Sequence, residues 1–411
     1  MTRSKSVYVP KVNPLIEQLK QSPIREITKR LEQAGKDPQL ISFGGGQPSH
    51  PPPSFVMEKA NEYLKQARSH RYSSTPGIPE LRDAIVRMMM LEEGWPDMDP
   101  SNILVTQSAT NGIEVAISTL AREGDEAIVI SPTYPGLLGA LQTHGVKTSI
   151  VHTHVENEFR LNLDALNEKI TRGKTKMIVV INPDNPTGRI LFRSEVKTVG
   201  ELAGDNGLGI VSDESYYRMM YDGDFTPFQD YLSNLIGIRS FSKTASATGW
   251  RIGYNYSSLQ LADAMEKVNQ FRTLCVAPFF QQMVYEFVMD HTLREEYILT
   301  VLKTYRGRRD VMESSLRKWI PNSRFVIPQA GFYYFIRLLG VPDDVDFSER
   351  IFNEAKVAIV PGSAFGMPRN GGYFRLNFVS ENPERIDEGI HRVADHLDQM
   401  LEKPRIEIAD Y

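Results

Sequence analysis

A lysine at the end of an apolar run, set among small hydroxylated residues, can attack a carbonyl carbon. Leu235-Ile236-Gly237-Ile238 leads into Ser240-Phe241-Ser242-Lys243, and Arg251 follows eight positions after the lysine. A continuous apolar run of this length reads as a buried strand passing into a loop. Lys243 then stands at the strand's C-terminal edge, where open α/β sheets bind ligands. Burial and a nearby cation both lower an amine's pKa and make it nucleophilic. The Ser240 hydroxyl and the planar Arg251 guanidinium suit phosphate oxygens. Aldehyde and phosphate together describe pyridoxal 5′-phosphate (PLP). Taken alone, the same residues would describe a surface lysine on a polar loop, so other motifs must decide.

Those motifs recur along the chain. Asp213 ends the run Gly209-Ile210-Val211-Ser212 and precedes Glu214-Ser215-Tyr216. A carboxylate there can keep a pyridine nitrogen protonated, or it can simply cap a turn. In Asn182-Pro183-Asp184-Asn185-Pro186-Thr187-Gly188, two X-Pro steps and a glycine force a rigid turn that aims the Asn185 amide. Gln107-Ser108-Ala109-Thr110-Asn111-Gly112 joins a strand to a helix, where N–H groups and hydroxyls make an anion site. Any Ser/Thr helix cap reads the same way. Tyr134 follows the run Ala127–Ile130 and could be a core aromatic or a shelf for a planar ring. Arg375 lies in the apolar, alternating strand Gly372–Phe378 and needs an anionic partner, either an internal carboxylate or a ligand's. Gly44-Gly45-Gly46 lacks the spacing and the following helix of a dinucleotide site, and implies close backbone approach instead.

Together and in this order, the motifs resemble the aspartate-aminotransferase superfamily of PLP enzymes, fold type I, from about Ser22 to the C-terminal helix. Ser22-Pro23-Ile24-Arg25, Ile41-Ser42-Phe43-Gly44-Gly45-Gly46-Gln47-Pro48 and Pro361-Gly362-Ser363-Ala364-Phe365-Gly366 are similar to the kynurenine/α-aminoadipate and aromatic aminotransferase branch. The resemblance implies that Lys243 carries PLP and moves the substrate's Cα proton, with Asp213 at the pyridine nitrogen. It implies Tyr216 and Asn185 at the phenolic oxygen, and Tyr134 stacked on the ring. Ser108, Ala109, Thr110, Ser240 and Arg251 would cradle the phosphate, although the family more often has glycine within the first of these loops. Tyr72 would reach the phosphate of a neighbouring subunit in a homodimer with shared sites. Arg375 and Asn185 would bind the substrate α-carboxylate, with Ile24, Arg25, Gly45 and Gly46, and Tyr333 nearby, around the side chain. The implied reaction is ping-pong transfer of an amino group from an L-amino acid to a 2-oxo acid. Broad donor use is expected, aromatic or long aliphatic amino acids alongside glutamate, with 2-oxoglutarate as acceptor. A PLP-dependent lyase eliminating from Cβ or Cγ is the alternative on the same fold. A regulator fused to a DNA-binding domain is not expected, because Tyr72 comes too early to leave room for that domain.

The bulk of the chain agrees. Its 411 residues, 41% apolar and 24% charged, can fill two domains of a soluble globular protein. A net charge of −4 gives no basic footprint, so neither nucleic acid nor an anionic membrane is an expected partner. The single Cys275 fits a reducing compartment, and Met1–Ser6 carries no apolar signal stretch, so a cytoplasmic location is expected. Unbroken aliphatic runs over Ile103–Val105, Ala127–Ile130, Met177–Ile181 and Gly209–Val211 alternate with helical stretches, including Gly112–Leu120. They predict an α/β fold: a large domain, residues 46–290, with a mostly parallel sheet covered by helices. Residues 1–45 and 291–411 are expected to form a smaller α+β domain. Met88, Met89 and Met90 read as core of a helix over Glu80–Glu93. His152 and His154 lack a third ligand, and no metal site is expected.

Overall fold

Strands without a polar face must be covered on both sides, and the central sheet is built that way. A computed structural model describes residues 11–19, 21, 23–35 and 37–402; Ser22 and Met1–Ser6 lie outside these. Seven strands stand in the order Ile103–Thr106, Gly253–Ser257, Leu235–Ser240, Gly209–Asp213, Thr175–Ile181, Glu126–Ser131, Lys147–His152. From Leu235–Ser240 outward to Lys147–His152 all neighbours are parallel. Gly253–Ser257 runs antiparallel to both of its neighbours. The C-terminal ends of Ile103–Thr106 and of all the parallel strands therefore open on one side of the sheet. Asp213 and Ser240 stand at two of these ends.

The helices follow their start and stop signals. Pro79–Glu93 has proline in its first turn and ends at Gly94, whose φ of 70° is the left-handed geometry glycine adopts without strain. Met88 and Met89 are buried there, but Met90 is 39% exposed, so the core reading holds for two of the three. The helix Ser108–Leu120 begins four residues before Gly112, because Ser108 (φ 66°) turns the chain into it directly after the strand. His291–Trp319 is capped by the Asp290 side chain, which accepts from the Leu293 N–H.

A second sheet joins Val360–Pro361, Tyr373–Asn377 and Tyr333–Arg337, antiparallel throughout. Tyr373–Asn377 is buried at every position, so the alternation in its sequence does not mark a wet face. Ile41–Ser42 pairs in parallel with Val357–Ala358, which ties the N-terminal segment to this part of the chain. No helix among the described residues is long and apolar enough to cross a membrane.

Beneath the strand ends lies a buried charge network. Arg239 Nε donates to Glu214 at 2.8 Å, and Nη1 to both Glu93 oxygens at 2.8 and 2.7 Å. The Tyr256 hydroxyl donates to Glu214 at 2.7 Å, and the Tyr217 ring lies 3.9 Å from the guanidinium. Removing one member of a buried pair typically costs about 3–5 kcal/mol. The network therefore fixes the strand ends one residue away from Asp213 and Ser240.

Candidate active site

A cavity of about 490 Å³ opens at the strand ends. Lys243 enters it from a single helical turn, Phe241–Thr244, where the sequence had implied a loop. The turn forms because Ser240 Oγ accepts from the Ser242 N–H at 3.2 Å, capping it. Lys243 Nζ donates to the Gly46 carbonyl at 2.5 Å. Burial pushes the amine below the usual lysine range; the Arg375 and Arg251 cations act in the same direction, while Tyr333 and Asp213 oppose it. A lowered pKa favours the neutral amine, the form that attacks carbonyl carbon.

Asp213 also lines the cavity and is buried. Burial raises its pKa, while the Ser215 hydroxyl and N–H, at 2.6 and 3.0 Å, and the Lys243 charge hold it down. Both Ser215 bonds end on Oδ1, which leaves Oδ2 able to accept from a ligand. Ser215 escaped the sequence reading, although an Asp followed two residues later by Ser is a turn signature. Tyr216, on the same turn, places its hydroxyl 3.0 Å from that of Tyr333.

At the opposite end the site is cationic. Arg251 donates through Nη2 to Ser108 Oγ at 2.6 Å and through Nη1 to the Thr248 carbonyl at 3.0 Å. Ser108, Ala109 and Thr110 form the first turn of their helix and line the same cavity, where helix N–H groups lack internal acceptors. Ser108 and Arg251 both hold left-handed backbone, with φ of 66° and 53°. Such geometry costs about 1 kcal/mol or more at a residue with a side chain and collects at functional sites. Tyr134 joins the lining from the start of the helix Pro135–Thr143. Its ring folds back over Gly136, where a Cβ would sit 2.3 Å from Cε1.

Arg375 completes the set. It is buried with no carboxylate partner among the described residues. Nη1 donates to Asn185 Oδ1 at 3.2 Å, Nη2 to the Gly44 carbonyl at 3.3 Å, and Nε has no partner. The Tyr333 ring lies 4.0 Å from the guanidinium. Three successive glycine carbonyls thus serve the site: Gly44 for Arg375, Gly45 for Asn377 at 2.8 Å, and Gly46 for Lys243. None of the three holds positive φ; they are needed for closeness, since a Cβ on Gly46 would sit 3.0 Å from the Tyr333 hydroxyl. Ile24 and Arg25 line the mouth from the helix Pro23–Ala34, with Thr28 one turn further on.

Two of the expected set stand outside the cavity lining: Gly45, whose carbonyl is taken by Asn377, and Tyr72, which is 85% exposed. His152 and His154 stack with ring centroids 6.3 Å apart. Glu92, His291 and Glu295 come within ligand distance of one another elsewhere, but arginines 294 and 218 already pair with both carboxylates.

Residues 38–393 match the family model of aminotransferases class I and II. The chain belongs to this family. It is 32% identical to an aspartate aminotransferase of Thermotoga maritima over 372 residues, 90% of this chain and 94% of the relative. It is 30% identical to aromatic-amino-acid aminotransferase 2 of Thermococcus litoralis, over 90% and 94% of the two chains. The solved structure of Thermus thermophilus aspartate aminotransferase with maleate superposes with a TM-score of 0.88 at 26% identity, covering 94% of this chain and all of that one. This aminotransferase accordingly uses PLP and moves an amino group between an amino acid and a 2-oxo acid; elimination chemistry is not favoured. The cavity fits that cofactor on its own evidence. A depressed lysine amine, a buried carboxylate with an open oxygen, and a helix start flanked by arginine match an aldehyde, a ring nitrogen and a phosphate.

Proposed function

We propose that the enzyme transfers the amino group of dicarboxylic, aromatic and long aliphatic L-amino acids, with 2-oxoglutarate as acceptor. The observation that carries the reading is the buried Arg375, without a carboxylate partner among the described residues, in the same cavity as the nucleophilic Lys243. PLP, when bound at Lys243, supplies an electron-withdrawing ring that stabilises negative charge at the substrate's Cα. Arg375, with Asn185, holds the α-carboxylate through its planar fork. The Lys243 amine takes the Cα proton and returns it as general base and acid. Asp213 would hold the ring nitrogen protonated. Asn185 and Tyr216 would donate to the phenolic oxygen, and Tyr134 would cover the ring face. Ser108, Ala109, Thr110, Ser240 and Arg251 would hold the phosphate. Gly46 and Ile24 leave an apolar opening, and the exposed Arg25 offers a cation to a distal carboxylate.

Reduction of the loaded protein with borohydride, followed by peptide mapping, should place the label on Lys243. A label on any other lysine overturns the assignment. Incubation with glutamate or phenylalanine and a 2-oxo acid should yield a new amino acid; release of ammonia instead would favour elimination.

The working unit in this reading is a cytoplasmic homodimer with shared sites, its chains divided into a large part, residues 46–290, and a smaller part, residues 1–45 and 291–411. The exposed Tyr72 supports this, as does an open cleft of about 610 Å³ on the outer side of Arg251, lined by Gln107, Asn111 and Arg272. Inactive Lys243→Ala mixed with an inactive Tyr72 variant should regain activity in heterodimers. No recovery after verified subunit exchange removes the shared site.

A further inference from the structure

The hydroxyls of Tyr216 and Tyr333 are 3.0 Å apart, and each has the other as its one hydrogen-bond partner among the described residues. Both side chains are buried. They reach each other from different sheets, Tyr216 from the turn after Asp213 and Tyr333 from the strand Tyr333–Arg337. Edge contacts of the Tyr216 ring with Phe332 and Tyr333, with centroids 5.3 and 6.1 Å apart, fix the angle. Gly46 makes the approach possible, since a Cβ there would crowd the Tyr333 oxygen at 3.0 Å. A tyrosine hydroxyl has one proton to give and two lone pairs to receive with. If Tyr216 spends its proton on a ligand, its oxygen is left as an acceptor with one donor in reach.

We infer that Tyr333 is a positioning residue for the amino-transfer site, donating to Tyr216 so that Tyr216 donates more strongly to the phenolic oxygen of PLP. The inference rests on the role proposed above for Tyr216. Chained hydrogen bonds polarise one another, strengthening each by roughly 10–30%. The Tyr333 ring has a second task, because its face also carries the Arg375 guanidinium. Tyr333→Phe removes the first task and keeps the second; Tyr333→Leu removes both.

The test is the visible absorption of the PLP-loaded protein as a function of pH. A hydroxyl donating to the phenolic oxygen stabilises the form that has lost the proton shared with the lysine nitrogen, so removing the donor raises the pH midpoint of the band change. Charged and titratable groups around the pair are Lys243, Asp213, Arg375, Arg251, Tyr134 and Arg25, and none is altered in the variants. Tyr216→Phe should raise the midpoint by about 1–2 units, the range of a hydrogen bond to a charged group. Tyr333→Phe should raise it by about 0.2–0.5 unit, a fraction of that bond. The second shift should vanish in the Tyr216→Phe background. KM for amino donors should rise more in Tyr333→Leu than in Tyr333→Phe. An unmoved midpoint in Tyr333→Phe, or the same shift with and without the Tyr216 hydroxyl, overturns the relay alone. An unmoved midpoint in Tyr216→Phe overturns the Tyr216 assignment, and the relay with it.

Discussion

On the floor of the cavity the turns that carry the groups are held by near neighbours in the chain, Asp213 by Ser215, the Lys243 turn by Ser240, Arg251 by Thr248, and only the tips of Arg251 and Lys243 reach further, to Ser108 and Gly46. On the wall the partners lie 190 to 332 positions apart, Arg375 on Asn185 and Gly44, Asn377 on Gly45. The floor is therefore shaped by local turn chemistry at the sheet edge. The wall exists only where the second sheet and the N-terminal segment dock against that edge. Floor residues should govern the chemical step, and wall residues the choice and retention of substrate.

The largest expected effect is on the floor. Asp213→Asn should lower kcat by about 1000-fold, the loss of one preorganised charge partner, with the fold intact by circular dichroism. It also carries a sign that a structural defect would not. Burial lifts the folded Asp213 pKa above its ordinary 3.8, so the PLP-free protein loses stability as pH rises from the unfolded value through the folded one. Asp213→Asn removes that loss, and its PLP-free Tm at pH 7 should exceed that of the parent. A lower Tm would show that the carboxylate holds the fold rather than a ligand.

Next comes the wall. Arg375→Ala should raise KM for every amino donor and oxo acid by about 100-fold, the loss of a bidentate charged contact, with a smaller change in kcat. If kcat fell and KM stayed, the division between floor and wall would break down. The smallest effect belongs to the mouth. Arg25 is exposed, so Arg25→Ala should raise KM for dicarboxylic partners by about 5–10-fold and fade at high salt. Apolar donors should be unchanged, and equal effects on both classes would remove Arg25 from substrate choice.

This division also explains what the sequence reveals. Asp213, Asn185, Lys243 and Arg251 are legible because the turns that hold them are written beside them, in residues with known turn and cap chemistry. The parallel sheet is legible because runs such as Met177–Ile181 have no polar face to expose. The Tyr333 hydroxyl is not, because tyrosine in an apolar run signals burial and says nothing of which hydroxyl it meets. The helical turn at Lys243 is hidden by its length, a single turn being too short for any periodicity. Arg239 sits beside Ser240 in the stretch that carries Lys243, yet its partner Glu93 is 146 positions away, and patterns of burial do not encode charge pairing.

That pairing has a further consequence, away from the chemistry. Helix ends normally fray, since their last carbonyls lack intrahelical donors. The helix Pro79–Glu93 cannot loosen its last turn freely, because Glu93 is the counter-ion of a guanidinium with no exposed surface. Opening that end leaves the buried Arg239 with Glu214 as its one carboxylate partner among the described residues and its Nη1 without either Glu93 oxygen, so the turn should exchange its amide hydrogens more slowly than an ordinary surface helix end. A helix terminus on the outside of the molecule thereby shares the fate of its centre, and local melting there is also the first breach beneath the strand ends that carry Asp213 and Ser240.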